Sequence, residues 1–158
     1  MKTINVTKGQ ILQRKGDLNT NVYTVVSGML RSYSIDEKGK EHIYLFAPEN
    51  WIIADAIPVG KPSELFIDVI EDATLIVNDK TIDLNSLEGN RTVIMKRMAV
   101  LQNRIIMLMS STAIERYEHF IVTYPDIVQR VPQRMIASYL GITPEALSKA
   151  KGDRLKNR

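Results

Sequence analysis

A short polar set near the C-terminus has the residue types and the spacing to read a nucleic acid. Gln133 and Arg134, followed by Thr143, Glu145, Ala146, Ser148 and Lys149, lie in VPQRMIASYLGITPEALSKAK, residues 131–151. Ile136, Leu140, Ile142, Leu147 and Ala150 recur through the same stretch at helical spacing and predict its buried side. The polar residues occupy the face that this packing leaves over. A glutamate can accept from the cytosine amino group, and a lysine can reach guanine O6 and N7 or a phosphate. A helix entering the major groove presents such residues, near its N-terminus, to base edges.

Two short helices and a tight turn are needed to hold that face. Ala137 is small where the helices must touch, and Gly141 stands where the chain leaves the first of them, a position that favours a left-handed backbone. Thr143 is placed to cap the second helix, and Pro144 fits its first position, where a missing N–H costs nothing. That helix is expected from Pro144 to about Ala150, interrupted by Gly152-Asp153, with Arg154 in a tail that frays or contacts phosphate. The spacing fits a helix-turn-helix; the competing reading is a helical hairpin that packs only on its own protein.

Charge is distributed to suit the first reading. Between Gln129 and Arg158 the chain carries Arg130, Arg134, Lys149, Lys151, Arg154, Lys156 and Arg158 against only Glu145 and Asp153. The whole chain is mildly basic, with a net charge of +3 and a pI near 9.1. Its 158 residues, 44% hydrophobic, can bury a core of one ordinary domain or one domain plus a small appendage. There is no cysteine, which excludes disulfides, thiolate metal sites, cysteine-ligated iron–sulfur clusters and thiol catalysis. No signal-peptide pattern or long apolar run opens the chain, so neither secretion nor a membrane partner is expected and a cytoplasmic setting is the default.

From Thr3 to about Val77 short apolar runs alternate with turn residues, which predicts many short strands and no long helix. Turns are expected at Lys15-Gly16-Asp17, Ser27-Gly28, Asp36-Glu37-Lys38-Gly39, Ala47-Pro48-Glu49-Asn50 and Glu71-Asp72. Such spacing predicts an antiparallel roll, of the jelly-roll or double-stranded β-helix kind. Trp51 to Glu64 breaks the rhythm with two prolines and a glycine, and reads as a short helix and loop laid over the sheet.

From about Ser86 to Met109 the period becomes helical. Ile94, Met98, Leu101, Ile105 and Leu108 follow a coiled-coil seam, with Met95, Ala99, Ile106 and Met109 as a neighbouring stripe and Lys96, Arg97, Asn103 and Arg104 on the wet side. One stripe is expected on the roll and the other on a second copy, because groove readers commonly pair two half-sites; the alternative buries both stripes in one chain. Beyond Ser110-Ser111, taken as hinge and domain boundary, Thr112 and Glu115 form a capping box for a helix that Pro125 stops. The fold expected is therefore α+β: residues 1–110 a roll with its long helix, residues 111–158 a helical DNA-binding domain.

In this order of parts the chain resembles the CRP/FNR family of transcriptional regulators. The likeness spans nearly the whole chain. It is strongest at VPQRMIASYLGITPEALSK, good at the glycine turns Lys15-Gly16-Asp17 and Val26-Ser27-Gly28 with Met29-Leu30-Arg31 after them, and weaker at the ligand loop. It implies a cyclic-nucleotide-binding-like roll that senses a signal, a DNA-binding module, a homodimer, and RNA polymerase as a further candidate partner. Members that bind cyclic nucleotides carry Gly-Glu and then Arg-Ser or Arg-Thr, for the ribose hydroxyl and the cyclic phosphate. Here those stretches read Ala54-Asp55 and Ser63-Glu64. Asp55 could keep the first role, Ser63 brings no charge, Glu64 would repel a phosphate, and Lys61 is a remote substitute, so cyclic AMP is not expected in the familiar mode.

The remaining sensor routes are narrow. His42 and His119 each stand alone, which favours structural histidines over haem ligands. The roll could take another small molecule against Phe46, Trp51 and Phe66, or serve only as scaffold; no cofactor or metal is assigned. An enzyme is not expected, because two separate histidines cannot build a jelly-roll metal site and no nucleophile elbow or phosphate-cradling glycine loop is present. The reading is a sequence-specific DNA-binding regulator, with an effector-responsive or scaffold protein that does not bind DNA as the alternative.

Overall fold

The computed structural model describes residues 1–18, 21–80 and 87–156; the side chains of 87–94, 96, 97 and 156 fall outside the described set. The expected seam residue Ile94, the wet-side Lys96 and Arg97, the helix start at Ser86 and the last two residues of the tail therefore lie outside what is described. Two compact units are present, residues 1–85 and 86–158. The division falls between Asn85 and Ser86 rather than at residues 110 and 111, so the long helix groups with the C-terminal helices.

The first unit is an antiparallel roll. Its strands are β1 (Lys2–Val6), β2 (Ile11–Gln13), β3 (Asn21–Ile35), β4 (Glu41–Ala47), β5 (Ile52–Ile53) and β6 (Phe66–Asp79). The sheet order is β1-β6-β3-β4, with β2 paired to β6 and β5 to β3. Val6, Tyr23, Val25, Leu30, Leu45, Ile53, Ile67, Val69 and Leu75 belong to its core.

Two expected turns are absent. Ser27-Gly28 and Glu71-Asp72 sit inside single strands of 15 and 14 residues. The register between these strands slips three times between Val25 and Leu30, so the chain bends through bulges and does not stop. Gly28 makes the bend possible: its φ is +83, and a Cβ there would lie 2.2 Å from the Asp72 carbonyl oxygen. The helix expected within Trp51–Glu64 is absent as well. Ile52 and Ile53 pair with Thr24 and Tyr23, and the rest of the segment is irregular. Pro58 and Pro62 bracket Gly60, and a side chain, Asp55, takes the amides that a helix would have satisfied itself.

Among the described residues the second unit contains helices and no strand: α1 (Leu87–Ser110), α2 (Ala113–Thr123), α3 (Ile127–Arg130), α4 (Gln133–Leu140) and α5 (Pro144–Lys156). The capping box forms as the sequence predicts. The Thr112 amide donates to Glu115 Oε2 at 2.7 Å and the Glu115 amide donates to Thr112 Oγ1 at 3.4 Å. The segment from Asp126 to Pro132 contains the short helix α3. No helix among the described residues is long and apolar enough to cross a membrane.

One boundary is displaced. Helix α5 continues through Gly152 and Asp153 to Lys156 instead of ending near Ala150. An isolated helical glycine costs only about 1 kcal/mol, and the turns around it are tied to α2. Lys151 Nζ lies 6.0 Å from the Tyr117 ring centroid, and Arg154 Nε lies 3.9 Å from Glu118 Oε1.

Candidate nucleic-acid interface and ligand loop

The α4–α5 pair is built on local sequence chemistry. Gly141 closes α4 with φ 65 and ψ 32, the left-handed conformation, and its amide returns to the Ala137 and Ser138 carbonyls. Thr143 Oγ1 accepts from the Ala146 amide at 3.2 Å, so it caps the first turn of α5, and Pro144 occupies the first helical position. Ile136, Ala137, Leu140, Leu147 and Ala150 are all buried, and Ile142 is half-buried. Leu147 is fully enclosed, which for a leucine is worth about 2 kcal/mol relative to exposure.

The polar set falls on the outside. Gln133, Arg134, Thr143, Glu145, Ser148 and Lys149 are exposed, and Ala146 is half-buried between them. The Glu145 carboxyl is held below its usual pKa by its own backbone N–H and by the Thr143 hydroxyl, so it is an ionised acceptor at neutral pH. Arg154 departs from the expected tail. It is half-buried within α5, with Nε 3.9 Å from Glu118 Oε1.

The long helix divides its apolar residues. Met98 and Ile105 of the expected seam are exposed, at 59% and 57%, as are Met95, Val100, Ile106 and Met109. Leu101 and Leu108 are half-buried and Met107 is buried. Arg104 corrects its expected place on the wet side. Its guanidinium lies 3.9 Å from the Tyr139 ring centroid, and Nη2 donates to the Tyr139 carbonyl at 2.9 Å. Tyr139 in turn packs with Phe120 and Tyr124, at centroid distances of 5.3 and 5.9 Å.

In the roll, two polar groups of the ligand loop, Asp55 and Ser63, are turned inward. Asp55 is 4% exposed. One carboxylate oxygen accepts from the Ile57 amide at 3.0 Å; the other accepts from the Glu64 and Leu65 amides at 2.9 and 3.0 Å and from Gln13 Nε2 at 3.3 Å. Burial alone would push this carboxyl up; the amides of Ile57, Leu65 and Glu64, with the charge of Lys80, overcome it and hold the pKa below its ordinary value. Ser63 is buried, and its backbone ties the loop to Gly16 and Asp17 at 2.8 Å each way. Lys61 and Glu64 are exposed.

Trp51 packs half-buried against the roll core. Phe46 is buried, at 2% exposure, and stands outside the core cluster that holds its neighbours Leu45 and Ala47. An open groove of about 420 Å³ exists elsewhere, lined by Asn5, Val6, Thr7, Ser27, Asp72, Ala73 and Thr74, and includes none of the expected ligand residues.

A charge cluster around the buried Arg31 lies outside every sequence expectation. Arg31 donates to both Asp68 oxygens at 2.8 and 2.9 Å and to Glu41 at 2.6 Å. It also lies 4.2 Å from the Tyr33 ring, which stacks on Phe66 at 5.2 Å. Burial would lower the Arg31 pKa, but the two carboxylates raise it. Arg31 and Asp68 are register partners in β3 and β6, a relation visible only once those strands are paired. His42 and His119 are each engaged locally, His42 Nε2 at 2.9 Å from Asp36 and His119 Nδ1 at 3.4 Å from Thr123.

Known proteins resemble the chain at both levels. The family description "Cyclic nucleotide-binding domain" matches residues 3–81. The anaerobic regulatory protein of Aggregatibacter actinomycetemcomitans is 30% identical, over 93% of this chain and 64% of that protein. The fumarate and nitrate reduction regulatory protein of Escherichia coli K12 is 29% identical, over 93% of this chain and 66% of that protein. The chain thus spans somewhat less than two thirds of the length of these curated relatives. Among solved structures, a CRP/FNR-family transcriptional regulator from Thermus thermophilus superposes with a TM-score of 0.80 at 16% identity, covering 99% of this chain and 87% of the other. FixK2 from Bradyrhizobium japonicum superposes with a TM-score of 0.79 at 20% identity, covering 99% and 85%. At these identities the structures share a fold.

Proposed function

We propose, from the premise that residues 3–81 place the chain in the cyclic nucleotide-binding domain family, that it is a transcriptional regulator of the CRP/FNR type and that it binds specific DNA sequences. In this reading α4 and α5 form a helix-turn-helix, and α5 enters the major groove. The observation that carries it is the division of α5 itself. Leu147 and Ala150 are buried while Glu145, Ser148 and Lys149, one turn from the capped N-terminus, are exposed. Glu145 would accept from a cytosine amino group, Ser148 and Lys149 would donate, and Gln133, Arg134 and the Thr143 corner would meet backbone or base edges.

The active species in this proposal is a cytoplasmic homodimer joined along α1. Support comes from the apolar face at Met98 and Ile105, exposed on a 24-residue helix where an isolated chain would gain by covering it. Two copies would set their α5 helices about one DNA turn apart, roughly 34 Å. RNA polymerase is the further partner that a transcriptional regulator would engage.

Cyclic AMP does not fit the roll in the manner of the nucleotide-binding relatives. Asp55 is already occupied by three amides and Gln13, Ser63 has no positive charge, and Glu64 and Lys61 are both solvent-facing. Selection of bound duplexes from a random pool, with and without cyclic nucleotides, tests the whole reading. Enrichment of a two-fold symmetric sequence, unchanged by cyclic nucleotide, is expected. A pool that stays random would overturn the DNA-binding role, and an enrichment that appears only with nucleotide would overturn the account of the loop.

A further inference from the structure

The sequence predicts a free hinge between α1 and α2 at Ser110-Ser111, yet one arginine spans that junction. Arg116, in the first turn and a half of α2, uses all three guanidinium nitrogens on main-chain carbonyls from three places. Nη2 donates to Leu108 at 2.6 Å, Nε to Ser111 at 3.0 Å, and Nη1 to Leu140 at 3.1 Å. Leu108 lies in the last turn of α1 and Leu140 is the last residue of α4. Both carbonyls belong to helix C-terminal ends, where a fixed cation is favoured. Arg104, one turn earlier on α1, holds the neighbouring Tyr139 carbonyl at 2.9 Å and lies against its ring. Gly141 follows directly, and a Cβ there would lie 3.6 Å from Leu108 Cδ2 and 3.7 Å from Arg116 Nη1. The left-handed turn into α5 is therefore seated against the end of α1.

We propose that Arg104 and Arg116 form a clasp that locks the orientation of the α4–α5 pair on α1, and that any signal reorienting the reading helix must open it. This rests on the DNA-binding reading of α5 for its functional consequence, though not for its geometry. Swinging α4 away from α1 requires Arg116 to give up either Leu108 or Leu140, because the planar fork cannot follow both. A lysine retains the charge but carries its three donors on one nitrogen, without the extended planar fork that reaches the Leu108, Ser111 and Leu140 carbonyls from separate positions. Arg116 is thus a positioning residue: it touches no base and acts through α4.

Two measurements on the full chain test the clasp. With no native cysteine, spin labels at Gln102→Cys and Leu155→Cys, in chains diluted with unlabelled copies, report the α1-to-α5 distance. One narrow distribution is expected for the parent and a broadened or second population for Arg116→Lys, with helical content unchanged. Against duplexes carrying two selected half-sites, the parent should lose about tenfold in affinity when their separation is changed by one or two base pairs. Arg116→Lys should lose most of that discrimination while binding a single half-site as the parent does, and Arg104→Lys should show the same loss in weaker form. An unchanged distance distribution in Arg116→Lys, or unchanged spacing discrimination alongside normal duplex binding, would overturn the clasp. If the parent binds no duplex, the DNA-binding reading fails and the distance measurement still decides the clasp.

Discussion

Two acidic side chains show how differently the units treat the same chemistry. Asp55 in the roll is buried, and both its oxygens are engaged by the loop that surrounds it. Glu145 on α5 is exposed and keeps its carboxylate at the mouth of a helix N-terminus. The first closes a structure; the second stays open to solvent. The difference lies in solvent access: the Asp55 carboxylate is satisfied inside its loop, while Glu145 keeps its carboxylate at the surface, where the proposed reading face would use it.

The contrast can be broken most severely through α1. Met98→Asp places a charge on the exposed apolar face, and should convert dimers to monomers in sedimentation and weaken binding to a two-half-site duplex by about a thousandfold, the loss expected when avidity disappears. An intact dimer would show that the proposed seam lies elsewhere. Next in size, Asp55→Ala strands three amides and Gln13, and should lower stability by about 3 kcal/mol in urea unfolding while duplex affinity of the folded protein is retained. If stability holds, the loop is not closed by Asp55 and its carboxylate is free to meet a ligand. On the open side, Glu145→Ala should change base preference at one position by about 1–3 kcal/mol, whereas Arg134→Ala should weaken all duplexes alike and reduce the salt slope by about 1.

What could be read in advance was what is local. The Thr112–Glu115 capping box, the Gly141 turn, the Thr143 cap and Pro144 each depend on neighbours within four residues, and each stands where the spacing put it. The outward set at Glu145, Ser148 and Lys149 followed from the buried register of Leu147 and Ala150. Relations across the fold were harder. Gly28 signals a turn in sequence, but β6 lies close enough to require a glycine inside a continuous strand. Arg104 reads as a wet-side residue by charge, yet its guanidinium finds a ring and a carbonyl 35 residues away. Arg116 and Arg31 were invisible for the same reason: periodicity reports which side of an element faces inward, not which distant carbonyl or carboxylate awaits there.

The smallest expected effect is a pH dependence that separates the two carboxylates. The Asp55 pKa is depressed below its unfolded value of 3.8 by the loop amides acting against burial. A depressed carboxyl binds its proton less readily folded than unfolded, so its stabilisation is present in full above about pH 4 and is lost as the pH falls through the folded value. Asp55→Asn has no such proton to gain. The stability gap between parent and Asp55→Asn should therefore be widest near neutral pH and should narrow progressively below about pH 4 in urea titrations. Glu145→Gln should show the same trend in a much weaker form, since that carboxyl is also held below its usual value but is fully exposed and screened by solvent. A gap for Asp55→Asn that stayed constant into acid would mean that the loop holds the neutral and charged forms equally, and the distinction between a closed acid and an open one would lose its electrostatic basis.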